Sequence, residues 1–238
     1  MYKKNKSVKI LLRILNGVAM VIVGIIFCLP FVWMILTAFK SLGDTILIPP
    51  KWILDELHWE NFAAAWQSGP FLHYIWNSIV STVGILVLQF LVAIPAAYAY
   101  ARCSFYGKNL LFGLTMITMM IPSQLIFLPI YLLMSQWGLL NTYGALILPF
   151  AGSAFTIFLL RQSFMQIPQE IVDAARIDSA SEFQIITKIM VPLAKSSMVT
   201  AGLFSFISHW NDYFWPLIMT TNDTVRTLPI GIAKLREV

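Results

Sequence analysis

Charged side chains that could grip a partner are concentrated between positions 166 and 192. Glu170, Asp173, Arg176, Asp178, Glu182 and Lys188 all fall there. From 109 to 160 there is no Asp, Glu, Lys or Arg, and none between 196 and 211. A charged segment between two such apolar runs belongs in water at a membrane surface. Two readings fit it, a docking surface for another protein or a solvated hairpin. A second polar group lies near the end of the chain: Ser205, Ser208, His209, Asn211 and Asp212. An Asp at mid-membrane costs about 2.5–3.5 kcal/mol. Asp212 therefore faces partners or a wet cavity rather than lipid. Lining of a pathway or gate and hydrogen bonding between helices both suit this cluster.

Other chemistry is excluded or bland. No G-x-x-x-x-G-K-[ST] loop is present, so the chain has no phosphate cradle of that kind. Gly107-Lys108 is followed by Asn109 and is a loop pair only. His58 and His73 fall in or beside a loop and form no hydrolytic constellation with His209. Cys28 and Cys103 are far apart in sequence, one in an expected span and the other on the cytoplasmic side, against a disulfide or metal site. Met116, Met119, Met120 and Met134 read as packing residues. No catalytic or metal-binding residue is expected.

The segment at 166–192 needs two short helices to present it. Pro168 suits a first helical position, and Glu170 in the first turn suits the helix dipole. Ile171, Ala174, Ala175 and Asp178 keep helical spacing, and the two alanines allow another surface to approach the backbone closely. Ser179-Ala180-Ser181-Glu182 reads as a capping box that starts a second helix. Phe183, Ile186, Ile189 and Met190 form its apolar side, and Pro192 is expected to end it.

The rest of the chain must hold this hairpin at a membrane. Of 238 residues 58% are hydrophobic and 11% charged, and mean hydropathy is +0.76. A soluble domain carries about 25% charged residues. The fold class is all-α, a polytopic helical membrane protein with five spans near 14–38, 77–101, 109–134, 142–160 and 196–219. The uncharged run after Arg13 is too long for a signal peptide, so it is a retained span. Each span carries proline: Pro30, Pro95, Pro122 with Pro129, Pro149, and Pro216. The expected inner segments hold eleven Lys and Arg against five outside, which places the N-terminus and the hairpin in the cytoplasm. The outer loop at 41–70 carries Trp52, Trp59, Phe62 and Trp66, consistent with a short amphipathic helix at the headgroups.

The hairpin also carries a resemblance. Ile167-Pro168-Gln169-Glu170, Asp173-Ala174-Ala175, Asp178-Ser179-Ala180-Ser181, Phe183 and Val191-Pro192-Leu193 resemble the "EAA" loop of ABC importer permeases of the carbohydrate, maltose-like type. Tyr74-Ile75-Trp76-Asn77-Ser78, Tyr98-Ala99-Tyr100-Ala101-Arg102, Phe105-Tyr106-Gly107-Lys108 and the run from Trp210 to Leu217 extend the likeness. Two positions depart from the family pattern: Asp173 replaces its leading Glu, and Ser179 its Gly, which gives up free access to positive φ. The resemblance implies a type I ABC importer permease in a bacterial inner membrane. Its coupling loop would include Glu170, Asp173, Ala174, Ala175, Asp178, Ser179 and Ala180, and Asn77, His209, Asn211 and Asp212 would belong to the pathway or gate. It implies separate ATPase subunits that bind ATP, a second permease subunit and an extracytoplasmic solute-binding protein. The chain itself would carry no cofactor and no enzymatic activity. Residues 1–72 would form an N-terminal span and outer loop, and 73–238 the permease domain. Relatives continue through a sixth span, so the chain reads as C-terminally incomplete. Import of another solute, such as glycerol phosphate or an amino acid, and a non-transporting scaffold are the alternatives.

Overall fold

The computed structural model describes residues 6–235, with side chains from Val8 onward. Lys3, Lys4 and Arg236, counted in the charge asymmetry, lie outside the described residues, as does the side chain of Lys6. All regular structure among the described residues is helical. The chain divides into two compact units, Met1–Gly69 and Pro70–Val238.

The first unit is built on α1 (Lys6–Ala38). Its apolar residues run all round the helix, and Leu11, Met20 and Phe27 are exposed. Such a helix is stable in lipid, not in water. Its membrane-length part is Val8–Ala38, beginning six residues before the expected span. Ser41 caps α2 (Leu42–Thr45) by accepting from the Asp44 amide. The expected amphipathic helix is α3 (Glu60–Gln67), which carries Phe62 and Trp66. Trp59 precedes it and packs on Phe39, with ring centroids 4.8 Å apart. Trp52 lies outside it and packs on Trp33. Lys40 is only 2% exposed, and its ammonium sits 3.8 Å from the Trp33 ring centroid, a cation–π contact that offsets its burial.

In the second unit α4 (Phe71–Arg102) is the one uninterrupted membrane-length helix. The remaining apolar stretches are broken. α5 (Lys108–Thr118) and α6 (Ser123–Gln136) meet at 97°, where Pro122 cannot donate a helical hydrogen bond and itself precedes α6 as its cap residue. α7 (Tyr143–Ile147), with a 3-10 turn at Leu148–Phe150 containing Pro149, meets α8 (Ala154–Gln166) at 45°. The hairpin follows as α9 (Gln169–Ile177) and α10 (Glu182–Ile185). A π-helical turn (Ile186–Met190) and α11 (Val191–Leu193) then lead at 80° into α12 (Lys195–Trp210). α13 (Phe214–Met219) and α14 (Leu228–Lys234) complete the unit.

Two expectations are corrected here. Pro192 does not end its helix, because the wider π turn before it accommodates the proline ring, and the break comes at Ala194. The fifth span is not continuous over 196–219, since α12 stops at Trp210 and helix resumes at Phe214. Among the described residues, two unbroken helices are long and apolar enough to cross a membrane, or up to five if each bent pair is one span.

Packing in lipid cannot rely on the hydrophobic effect between helices and uses small residues that let backbones approach. Ala93 and Ala97, one turn apart on α4, are fully buried in one cluster with Ile157, Leu160 and Phe164 of α8. Val172, Ile185 and Met190 extend that cluster under the hairpin. A second cluster joins Met134, Ala145, Leu146, Trp215 and Met219, where the Trp215 indole donates to the Ala145 carbonyl at 3.0 Å.

Candidate functional site: a capped hairpin and a cavity where helices break

Hairpin geometry follows from its two caps. Pro168 stands just before α9 as its cap residue rather than inside it. The Gln169 amide donates to Asp173 Oδ1 at 2.9 Å, and Glu170 lies in the first turn. Val172 is completely buried and Ala175 packs beside it, which anchors one face of α9. The other face is free: Asp173, Ala174, Ile177 and Asp178 are exposed.

At the end of α9 the Ala180 amide donates to the Ala175 carbonyl at 2.9 Å, and the Ser179 amide to Arg176 at 3.0 Å. This pair of bonds is a Schellman motif, which requires a left-handed residue at Ser179. Its φ is indeed +60°. Ser179 therefore closes the first helix and cannot cap the second. The capping box is made instead by Ser181 and Gln184, two residues beyond the expected pair. Ser181 Oγ accepts from the Gln184 amide at 3.3 Å, and Gln184 Oε1 accepts from the Ser181 amide at 2.9 Å.

Glu182, released from capping, accepts from Arg176 Nε at 3.0 Å and from the Tyr98 hydroxyl of α4. Arg176 also pairs with Asp173 at 3.5 Å. Ile185 and Met190, not Phe183, form the buried side of the second arm; Phe183 is 74% exposed. With Ile177 at 83%, this leaves two large apolar side chains in the open beside the carboxylates.

The second candidate site is a cavity of about 630 Å³ at the helix breaks. Met119 and Ile121 line it from the bend between α5 and α6, Gly152 from the bend before α8, and Asp212 from the interruption between α12 and α13. Ser123 and Gln124 add polar groups, and Phe127, Phe150, Phe214 and Trp215 add aromatic faces. Asp212 is half-buried and accepts from the Trp215 amide, in the first turn of α13, at 3.2 Å. Asn211 is exposed; its amide donates to the Ile207 carbonyl at 2.8 Å, and it lines a neighbouring cavity of about 570 Å³ with Trp210 and Tyr213. His209 is half-buried, with its ring 4.5 Å from that of Phe150.

Asn77 lies elsewhere. It is fully buried, donates to the Thr224 and Arg226 carbonyls at 3.3 and 2.9 Å, and accepts from the Tyr143 hydroxyl at 2.6 Å. These bonds hold the segment before α14, as do Ser78, which accepts from the Leu228 amide, and Tyr74, which donates to Asp223 at 3.1 Å. Asp223 also binds Lys234 at 2.8 Å and Arg226 at 2.7 Å. These two cations pull its carboxyl down to about 2.

Sequence reasoning missed Gln89. This buried amide of α4 accepts from Ser205 Oγ at 2.7 Å, and its nitrogen lies 3.4 Å from His209 Nε2. An amide alone in an apolar span was the available signal, since such a group needs a partner in lipid.

Comparison with known proteins assigns the family. The model for "Binding-protein-dependent transport system inner membrane component" matches residues 89–235. Among curated relatives, the arabinooligosaccharides transport system permease protein AraQ of Halalkalibacterium halodurans is 35% identical over 194 residues, covering 81% of this chain and 68% of its own. The diacetylchitobiose uptake system permease protein NgcG of Streptomyces coelicolor is 31% identical over 212 residues, 88% of this chain and 70% of its own. The sn-glycerol-3-phosphate transport system permease protein UgpE of Yersinia enterocolitica is 32% identical over 224 residues, 91% and 79%. A solved bacterial ABC transporter involved in importing the acidic polysaccharide alginate superposes with a TM-score of 0.84 at 26% identity, covering 98% of this chain and 82% of that one. The helical fold, the bent spans and these matches agree: the chain belongs to the binding-protein-dependent transport system inner membrane components, the permeases of ABC importers.

Proposed function

We propose that this permease takes up a neutral carbohydrate and is driven by a separate ATPase docked on its 166–192 hairpin. The observation that carries the coupling is the hairpin itself. It is capped at both helix ends, anchored by Val172 and Ile185, and exposes Asp173, Ile177 and Phe183 together. A rigid element with mixed acidic and apolar surface transmits displacement when it sits in a partner's groove. ATP is bound and hydrolysed on that partner, and the chain has no catalytic role or cofactor of its own. A second permease subunit completes the pathway, and an extracytoplasmic binding protein delivers the solute. The N-terminus and the hairpin face the cytoplasm.

The substrate reading rests on the cavity together with the relatives named for arabinooligosaccharides and diacetylchitobiose. Its lining offers hydroxyl, amide and aromatic groups with one carboxylate, Asp212, and no Lys or Arg. Like charge at close range repels an anion, so a glycerol phosphate or an acidic sugar fits this lining less well than a neutral one.

Purification in mild detergent tests the dock. The ATPase co-purifies with the parent chain and is lost, with uptake, from Asp173→Lys or Ala175→Pro, while both variants still insert. Full uptake by Asp173→Lys would remove this reading.

A further inference from the structure

We propose that the hairpin drives α4, through a clamp whose two arms are Tyr98 and Arg102. The chain runs from the hairpin into α8 on one side and α12 on the other, so sequence alone directs its movement into those helices. The hydrogen bonds point to a third. Tyr98 and Arg102 are one helical turn apart on α4 and therefore share a face. Tyr98 donates to Glu182, on the return arm, where Arg176 also binds that carboxylate at 3.0 Å. Arg102 reaches the entry arm. It donates to the Phe164 carbonyl at 2.5 Å, to the Ile167 carbonyl, and to Gln169 Oε1 at 2.7 Å.

Arg102 thus binds carbonyls at and just past the end of α8, where a cation is favoured by the helix dipole. The favour is returned in kind: Arg161 of α8 donates to the Tyr100 carbonyl in the last turn of α4 at 3.2 Å. Each helix end is capped by the other's arginine. With the fully buried packing of Ala97 against the same cluster, the end of α4 and the hairpin form one body. A displacement of the hairpin tilts α4 with it. That helix carries Gln89 to Ser205 and His209 of α12, just before the break at Asp212. The route from dock to cavity therefore passes through α4. Tyr98 and Arg102 are positioning residues that touch neither nucleotide nor solute.

The inference rests on the hairpin being the ATPase dock, and the test separates the two. Cys28 and Cys103 are first replaced by serine. A reporter, Ser123→Cys, is placed at the cavity in the complex purified with its ATPase. Its rate of reaction with an impermeant maleimide is measured with and without a non-hydrolysable ATP analogue. In the parent the analogue changes the rate. In Tyr98→Phe with Arg102→Gln the ATPase stays bound and the complex remains folded at the assay temperature. The nucleotide response falls about tenfold, the scale of losing one charge-assisted hydrogen bond. The single variants fall between. A full nucleotide response in the double variant overturns the clamp. So does loss of the ATPase from it, which would make these residues supports of the dock's shape rather than transmitters of its movement. Retention of the ATPase by Asp173→Lys, a separate arm, removes the dock reading and the clamp with it.

Discussion

Replacing Ser179 by glycine should stabilise the hairpin, because the left-handed position just past a helix is one that glycine fills without strain. Ser179 holds φ +60° because the Schellman closure of α9 demands it. An L-residue with a side chain pays about 1–2 kcal/mol in that conformation. Glycine pays nothing there but makes the unfolded chain freer, which costs about 0.4–1 kcal/mol. The serine side chain makes no hydrogen bond that this exchange would forfeit, because the capping box belongs to Ser181 and Gln184. The balance is a gain of roughly 0.5–1 kcal/mol in hairpin opening.

Hydrogen exchange reads that gain locally. The Ala180 amide is bonded to the Ala175 carbonyl across the closure, so it exchanges only when the motif opens. Its exchange should slow by about two- to fivefold in Ser179→Gly. In Ser179→Val it should quicken, since a β-branched residue at positive φ is strained. An Ala180 amide that exchanges as fast or faster in the glycine variant would refute the reasoning and point to a stabilising role for the serine hydroxyl.

Other perturbations follow from the same geometry. Gly231→Ala brings a methyl group 2.3 Å from Tyr74 Cδ2; overpacking of this kind costs about 1–3 kcal/mol and should lower the thermal midpoint in detergent. Asp223 has its carboxyl lowered to about 2, so its contribution is full above the ordinary carboxylate range and is lost as pH falls through about 2. The group is half exposed, so that contribution is held to about 0.5–1 kcal/mol; Asp223→Asn should lower the midpoint at pH 7, with the difference from the parent closing in acid. Gln89→Leu strands the Ser205 hydroxyl and should cost about 0.6–1.7 kcal/mol, measured by unfolding in detergent. With Cys28 and Cys103 replaced, a cysteine at Ser181 should react only with membrane-permeant reagents and one at Trp59 with impermeant ones added outside; labelling at 181 from outside would invert the proposed orientation.

The hairpin was legible because it interrupts a charge-free sequence, and its two helices because Pro168 and the serines punctuate them. Its register was not. Ser179-x-x-Glu182 and Ser181-x-x-Gln184 are both acceptable capping boxes, and the pattern alone does not rank them. The choice is made by the end of the preceding helix, which needs Ser179 in a left-handed conformation and leaves Glu182 free to bind Arg176 and Tyr98. The bends were half legible. Pro122 and Pro149 mark two of the breaks, but a hydropathy window reads apolar content and is blind to direction, so a 97° turn looks like one long span. A further interruption falls at Asn211 and Asp212, ahead of Pro216, where no proline announces it. Gln89, Tyr98 and Arg102 act through partners 60 to 120 positions away, and no local spacing encodes such pairs.

The placement of the breaks follows from what a membrane allows. A backbone that leaves the helix exposes unpaired amides and carbonyls, which lipid does not tolerate but a polar cavity does. The interruptions before α6, before α8 and between α12 and α13 supply lining to one cavity, and the polar side chains near them, Ser123, Gln124 and Asp212, face the same space. There the helix ends border a polar space; Asp212, for instance, accepts from the Trp215 amide at 3.2 Å at the start of α13. The opposite holds beneath the hairpin, where Leu160, Phe164, Val172, Ile185 and Met190 are all fully buried and the arginines interlock. A transporter that moves a solute by rocking needs this division. On the proposed coupling, the end beneath the hairpin is packed to move as one piece, and the spans are interrupted around the cavity instead.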